Sequence, residues 1–240
     1  MTAESTPKVF TDVSVDPFVR GFLHRPANPN GKAMVLTHGA GSNCQAPLLV
    51  ALAETFSQAG FLVLRCDLPY RQDRPYGPPG PHDGKRDRAG LKNAFTAVKR
   101  FATGAVFLGG HSYGGRQASM LCAEQTEEDR TEEDRAEKAP DQVAGLLLTS
   151  YPLHPPGKPT QLRTQHFFTL RVPALFVQGT SDAFGSIAEL QQALKLIPAR
   201  TKLLPVEGAG HDLGFKGKAK RQELPGKILA EFQSFFDEKE

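Results

Sequence analysis

Short apolar runs alternate with longer amphipathic stretches along most of this chain, and that rhythm predicts a mostly parallel sheet covered by helices. Residues 33–37, 61–67, 105–108, 143–149, 174–177 and 202–206 read as buried strands, because their apolar character is nearly continuous. Between and after them the spacing turns helical. Leu48, Leu49, Leu52, Ala53 and Phe56 fall on one helical face, Leu91, Phe95 and Val98 on a second, and Ile228, Leu229, Phe232, Phe235 and Phe236 on a third. Ahead of this rhythm, residues 9–15 and 18–24 alternate apolar and polar positions on either side of Asp16-Pro17, which predicts two antiparallel strands joined by a turn. Right-handed crossovers place helices on both faces of the parallel strands. The expected fold is therefore a three-layer α/β/α sandwich around a sheet of about eight strands, with functional groups at the strands' C-terminal ends.

A length of 240 residues fits one such domain, so residues 1–240 are expected to form a single α/β unit with a flexible tail over 1–8. Net charge is only +3, too small a bias to suggest nucleic-acid binding. Cys44, Cys66 and Cys122 are odd in number and widely spaced, which signals neither a disulfide framework nor a zinc site. The polar N-terminus lacks a secretory pattern and no apolar run reaches membrane-spanning length, so a cytoplasmic protein without membrane contact is expected.

Two segments break the rhythm. A tandem Thr-Glu-Glu-Asp-Arg at 126–130 and 131–135 lies in an acidic insertion over 124–138, which reads either as a solvated face or as a docking patch for a protein partner. Residues 68–88 read as a long Pro- and Gly-rich loop carrying Arg71, Arg74, Lys85, Arg86 and Arg88. This loop is either a surface segment kept soluble or an electropositive rim that steers an anionic small-molecule substrate, with Arg74 as its candidate contact.

The chemistry concentrates in four loops. After the strand at 105–108, Gly110, Ser112 and Gly114 form Gly-x-Ser-x-Gly, in which a serine sits on a tight turn whose flanking positions have no room for side chains. The following helix points its N-terminal N–H groups at that serine, and the Tyr113 N–H is the first candidate donor to an oxyanion. A serine hydroxyl needs a base, and the order expected for this arrangement is serine, acid, histidine. Asp182, after the strand at 174–177, and His211, in a glycine loop after the strand at 202–206, complete that order. Asp182 also suits an Asx-turn or a helix cap before Ile187. Asp212 is expected to be structural. The glycine loop after the strand at 33–37 should supply a second oxyanion donor, from Ala40 or else Gly41, with His38 bracing the loop. No cofactor or metal is required for such chemistry.

These motifs resemble the α/β-hydrolase superfamily over about residues 9–236. Thr-His-Gly-Ala-Gly-Ser at 37–42, Gly-Gly-His-Ser-Tyr-Gly-Gly-Arg at 109–116, Tyr-Pro-Leu-His-Pro-Pro-Gly-Lys-Pro at 151–159 and Phe-Val-Gln-Gly-Thr-Ser-Asp-Ala-Phe-Gly at 176–185 are similar to one branch of it. That branch contains the hydrolase-like domain of the third regulatory subunit of the NSL acetyltransferase complex and small bacterial relatives, near the dienelactone hydrolases. The resemblance implies a hydrolase fold without a large lid domain and carries a catalytic triad onto Ser112, Asp182 and His211. Dienelactone hydrolases proper use a cysteine where this chain has Ser112. Residues 151–171 stand where many relatives insert a lid, and His154, Lys158, Arg163 and His166 there either line the pocket or face water. The functional expectation is a serine hydrolase of ester-like bonds (carboxylic ester, thioester or lactone). Its rival is a catalytically silent adaptor that keeps the scaffold for binding.

Overall fold

The computed structural model describes residues 6–128, 142–216 and 221–237. Its strands are β1 (Lys8–Asp12), β2 (Val19–His24), β3 (Ala33–Thr37), β4 (Leu62–Cys66), β5 (Val106–His111), β6 (Leu146–Thr149), β7 (Ala174–Gly179) and β8 (Thr201–Val206). They form one eight-stranded sheet in the order β1-β2-β4-β3-β5-β6-β7-β8. The pairs β1–β2 and β2–β4 are antiparallel, and every other pair is parallel. From β3 the chain steps outward to β4 and then returns to the other side of β3 as β5. That reversal opens a crevice at the C-terminal ends of β3 and β5, where a doubly wound sheet places its ligands.

Helices α1 (Pro47–Gln58), α2 (Pro69–Asp73), α3 (Asp83–Lys99), α4 (Tyr113–Glu128), α5 (Ile187–Leu194) and α6 (Leu224–Asp237) cover the sheet. Because side chains alternate along a strand, each central strand supplies both faces. Val35, Leu64, Leu108, Leu148 and Phe176 pack in one core with Leu91 and Phe95 of α3 and Leu121 of α4. Met34, Leu36, Val63, Phe107 and Leu147 pack in the other with Leu49, Leu52 and Phe56 of α1 and Phe232 of α6. Strands β3 to β7 are thus buried on both faces, which is why their sequence pattern reads as nearly continuous apolar runs.

The sheet and its layers agree with the sequence reading, but 68–88 does not. Two helices occupy it in part: α2 starts on Pro69, whose fixed φ suits a first helical position, and α3 begins at Asp83. The first turn and a half of α3 is almost wholly polar, and its apolar face becomes continuous only near Leu91, so the pattern hides the true start. Acidic Asp83 in the first turn also favours a helix N-terminus. Between β6 and β7 the chain forms only a short 3-10 turn, Phe167–Thr169, and no inserted domain. The acidic tandem falls mostly outside the described residues. Among those described, no helix is long and apolar enough to cross a membrane.

Candidate active site

Strand β5 runs without a break into Ser112, which adopts φ 52°, a left-handed conformation that L-residues rarely take. Its N–H donates to the Thr149 carbonyl at 2.8 Å, and its own carbonyl accepts the Arg116 N–H at 3.0 Å, so the turn is tied to β6 and to α4. The glycines on either side are required by space. A Cβ at Gly110 would lie 2.7 Å from the Gly114 carbonyl carbon, and one at Gly114 would lie 2.6 Å from the His38 carbonyl oxygen.

Two other loops bring their side chains to this turn. Ser112 Oγ lies 2.8 Å from His211 Nε2, and His211 Nδ1 lies 2.8 and 3.0 Å from the two Asp182 oxygens. The Asp182 side chain is fully buried, whereas His211 keeps 27% of its side-chain surface open. Asp182 is held from two further sides: the Gln178 side-chain amide donates to Oδ2 at 3.0 Å and the Phe184 N–H donates to Oδ1 at 2.9 Å. The second bond is the Asx-turn anticipated for this residue, so that role and partnership with His211 coexist. Ser186, not Asp182, caps α5. An ionised carboxylate only accepts, so the proton of a neutral His211 sits on Nδ1 and leaves Nε2 to accept from the serine hydroxyl. The Phe184 ring stacks on the imidazole at 4.1 Å between centroids and restricts its rotation. Half-buried His111 stands 5.3 Å away on another side, its own pKa pushed down to about 3 chiefly by desolvation and next by its proximity to His211. Asp212 spends its carboxylate on the N–H groups of Gly214 and Lys216, as its structural role requires.

The loop after β3 closes over the serine: a Cβ on Gly39 would lie 3.5 Å from Ser112 Cβ. Its carbonyls are turned away from the serine by a clamp from α2. Tyr70 Oη donates to the Ala40 carbonyl at 2.9 Å, while Arg71 donates to the carbonyls of Ser42 (2.7 Å), Ala40 (3.1 Å), Gly77 (2.8 Å) and Arg74 (3.1 Å). The Gly39 carbonyl faces the His38 ring at 3.0 Å. In a trans peptide the carbonyl and the next N–H point opposite ways, so the N–H groups of Ala40 and Gly41 turn from the clamp. Among the described residues neither these two nor the Tyr113 N–H donates to a protein acceptor. Tyr113 is anchored in turn, its hydroxyl donating to Asp87 at 2.7 Å, and the Tyr70 N–H donates to the same carboxyl at 3.0 Å. Burial raises the Asp87 pKa. His38 braces the loop as expected: it is fully buried, accepts the Leu68 N–H at Nε2 (3.1 Å), and has its pKa pushed down to about 4, mainly by burial.

Ser112, His211, Ala40, Gly41 and Tyr113 all line one cavity of about 570 Å³. Of the other residues proposed for substrate contact, Arg74 is ion-paired with Asp83, His154 packs with Nδ1 2.9 Å from the Pro155 carbonyl, and His166 Nε2 lies 2.8 Å from Ser119 Oγ. None of the three lines the cavity. Of the two readings of 68–88, the electropositive rim finds no support at the cavity, which this segment lines only with Pro78 and Pro79: Arg71 is held in the clamp, Arg86 pairs with Asp73, and Arg88 pairs with Glu124. Of the four candidates in 151–171, Arg163 lines the cavity, together with Pro152, and His154, Lys158 and His166 do not. Gln178, Phe184, Tyr70, Arg71 and Arg116 are contributors that the sequence reading did not assign. Arg116, Gln178 and Phe184 do lie in the motif runs at 109–116 and 176–185, and Arg71 among the cations of 68–88, but nothing in those runs marks their roles. Among the described residues no three His, Cys, Asp or Glu side chains converge as a metal set.

A family model for an alpha/beta hydrolase domain matches residues 30–233. Among solved structures, this fold is similar to that of an alpha-beta serine hydrolase homologue from Coxiella burnetii, with a TM-score of 0.71, 16% identity, and 95% of this chain and 98% of that one covered. It is also similar to a dienelactone hydrolase from Anabaena variabilis (TM-score 0.68, 18% identity, 97% and 98% covered). A third similar structure is a Xanthomonas campestris protein described as an α/β serine hydrolase without lid (TM-score 0.70, 14% identity, 100% and 99% covered). At these identities the likeness is one of fold. The narrower likeness to the NSL subunit rests on the sequence motifs alone.

Proposed function

The chain belongs to the α/β-hydrolase domain family, and on that premise we propose that it is a single-domain serine hydrolase of small molecules with an ester-like bond. The observation that carries this reading is the unbroken chain of hydrogen bonds from Ser112 Oγ through His211 to Asp182, each near 2.8 Å, opening on a cavity of about 570 Å³. A cavity of that size suits a small molecule rather than a polymer. Ser112 Oγ attacks the carbonyl carbon as His211 Nε2 takes its proton, and the negative charge that forms on the carbonyl oxygen is met by the N–H groups of Ala40 and Tyr113. Asp182 stabilises the imidazolium and holds the ring. Collapse of the tetrahedral species breaks the bond to the leaving group, which receives the proton from His211. Water then repeats the cycle on the acyl-enzyme: His211 takes its proton, the acid is released, and Ser112 recovers its hydrogen.

Carboxylic esters, thioesters and lactones all fit this chemistry, the last because one structural neighbour is a dienelactone hydrolase. An adaptor that had given up catalysis would need neither the strained serine nor the anchored carboxylate, so the hydrogen-bonded chain favours the enzyme. The test is hydrolysis of short aryl esters by wild type and Ser112→Ala. Turnover should fall by at least about 10⁴-fold in the variant, and undiminished turnover would refute the assignment.

A further inference from the structure

On the hydrolase reading above, we propose that Arg116 and Arg163, which stand in the wall of the same cavity as Ser112, form a subsite for a carboxylate carried by the substrate, so that the preferred substrate is an anionic ester.

Most other arginines in the molecule are satisfied by protein partners. Arg20, Arg74, Arg86, Arg88 and Arg100 each face an aspartate or glutamate. Arg65 is bonded to buried acceptors and Arg71 to the carbonyls of the loop after β3. Neither cavity arginine has a carboxylate partner among the described residues. Arg116 Nε is shut off from solvent and bonded to nothing, although the guanidinium also meets the Tyr151 hydroxyl, and Arg163 Nη1 makes a long bond, 3.3 Å, to the Pro152 carbonyl. An unmatched guanidinium nitrogen removed from water is costly unless a ligand completes it.

Both arginines are also positioned. The Arg116 N–H bonds to the Ser112 carbonyl, which sets the two residues one helical turn apart, about 6 Å between Cβ atoms. Arg163 is pinned through its backbone: its N–H donates to the Leu153 carbonyl at 2.8 Å, and its carbonyl accepts the hydroxyl of buried Tyr151 at 2.8 Å. Burial lowers the Arg163 pKa, and the like charge of Arg116 lowers it further, so the two cations share one environment. The remaining charged groups on the cavity do not cancel them. The Asp212 carboxylate, held by two backbone N–H groups, is offset by the Lys216 ammonium, and desolvation keeps His111 neutral. Two guanidinium groups offer the paired donors that match a carboxylate. A spacing of one helical turn suits a carboxylate a few bonds from the reacting carbonyl, as in a half-ester of a dicarboxylic acid.

The experiment compares a free carboxylate with its methyl ester, 4-nitrophenyl hydrogen adipate in one pair and 4-acetoxybenzoate in the other, each rate divided by that of spontaneous hydrolysis in the same buffer. The first pair places the carboxylate on the acyl side and the second on the leaving side. Wild type should favour the anion in at least one pair by roughly tenfold or more in kcat/KM, and Arg116→Gln and Arg163→Gln should each reduce that ratio about tenfold. Arg86→Gln, whose partner is Asp73 away from the cavity, should keep the wild-type ratio. A wild-type ratio near one in both pairs would overturn the proposal without any variant, and so would a preference that survives both cavity substitutions. Calorimetric titration of adipate half-ester onto Ser112→Ala separates this proposal from the hydrolase reading. Binding that weakens about tenfold when Arg116→Gln is added supports the subsite whatever becomes of the nucleophile, and binding indifferent to Arg116 overturns it.

Discussion

Replacing Arg71 by Met should impair the reaction without touching any group that meets the substrate. The guanidinium donates to four carbonyls, at 2.7 to 3.1 Å, and two of these belong to Ala40 and Ser42 in the loop over Ser112. Hydrogen bonds to a charged group contribute roughly 1.5–3 kcal/mol each, but Gly41 is exposed and water can replace part of what is lost, so the net destabilisation should be about 2–4 kcal/mol. The effect on rate has a different origin. With its carbonyls released, the loop can rotate the Ala40 N–H away from the oxyanion position. Full loss of one such donor costs about 10²–10³ in kcat, so partial loss should lower kcat by roughly 30–100-fold. KM should stay within about threefold, because the donor acts mainly on the charge that forms in the transition state. Tyr70→Phe removes only the hydroxyl and should reduce kcat several-fold, about 1 kcal/mol. The assay is steady-state aryl-ester hydrolysis by variants whose folding is verified by circular dichroism and denaturant titration. A folded Arg71→Met protein with kcat within twofold of wild type, or with KM alone changed, would refute the clamp.

Asp182→Asn should leave the fold intact but lower kcat by about 10⁴, because an amide in place of the carboxylate favours the wrong imidazole tautomer; a loss under tenfold, measured with the same esters, would contradict the role given to Asp182. Gly114→Ala should prevent soluble expression or destabilise severely, since its Cβ would approach the His38 carbonyl oxygen to 2.6 Å; wild-type stability in urea would show that the elbow can relax. Stability should decline as pH falls from about 6.5 to about 4. His38 and His24 are each depressed from 6.5 to about 4, mainly by burial, so in that window the unfolded chain binds protons that the native protein refuses. Each histidine then costs up to about 3 kcal/mol by pH 4, and a urea midpoint that stays flat across the window would count against their burial as neutral rings.

The three residues of the hydrogen-bonded chain were legible because each follows a strand whose apolar run is continuous, and a buried parallel strand ends where its loop must carry polar groups. Ser112 was marked further by glycines whose necessity is steric. Residues that act across the fold left no such trace. Arg71 looked like one cation among several in a proline-rich stretch, and only the approach of α2 to the loop after β3 makes it a clamp. Gln178 lies inside β7, where alternation identifies a buried position but cannot reveal that its amide reaches Asp182. Arg74, His154 and His166 were plausible by type and neighbourhood, yet each is claimed by a local partner that sequence spacing does not disclose. The start of α3 was missed for a related reason, since its first turns hold polar residues and the helix announces itself only where it meets the sheet.

The central claim, that the Ser112 hydroxyl is activated by His211, is tested most directly by reaction with a fluorophosphonate followed by peptide mass spectrometry. The account predicts a single stoichiometric adduct on the peptide containing Ser112, absent in Ser112→Ala and formed far more slowly in His211→Gln. Wild-type protein that resists the reagent, or an adduct that persists in Ser112→Ala, would contradict it.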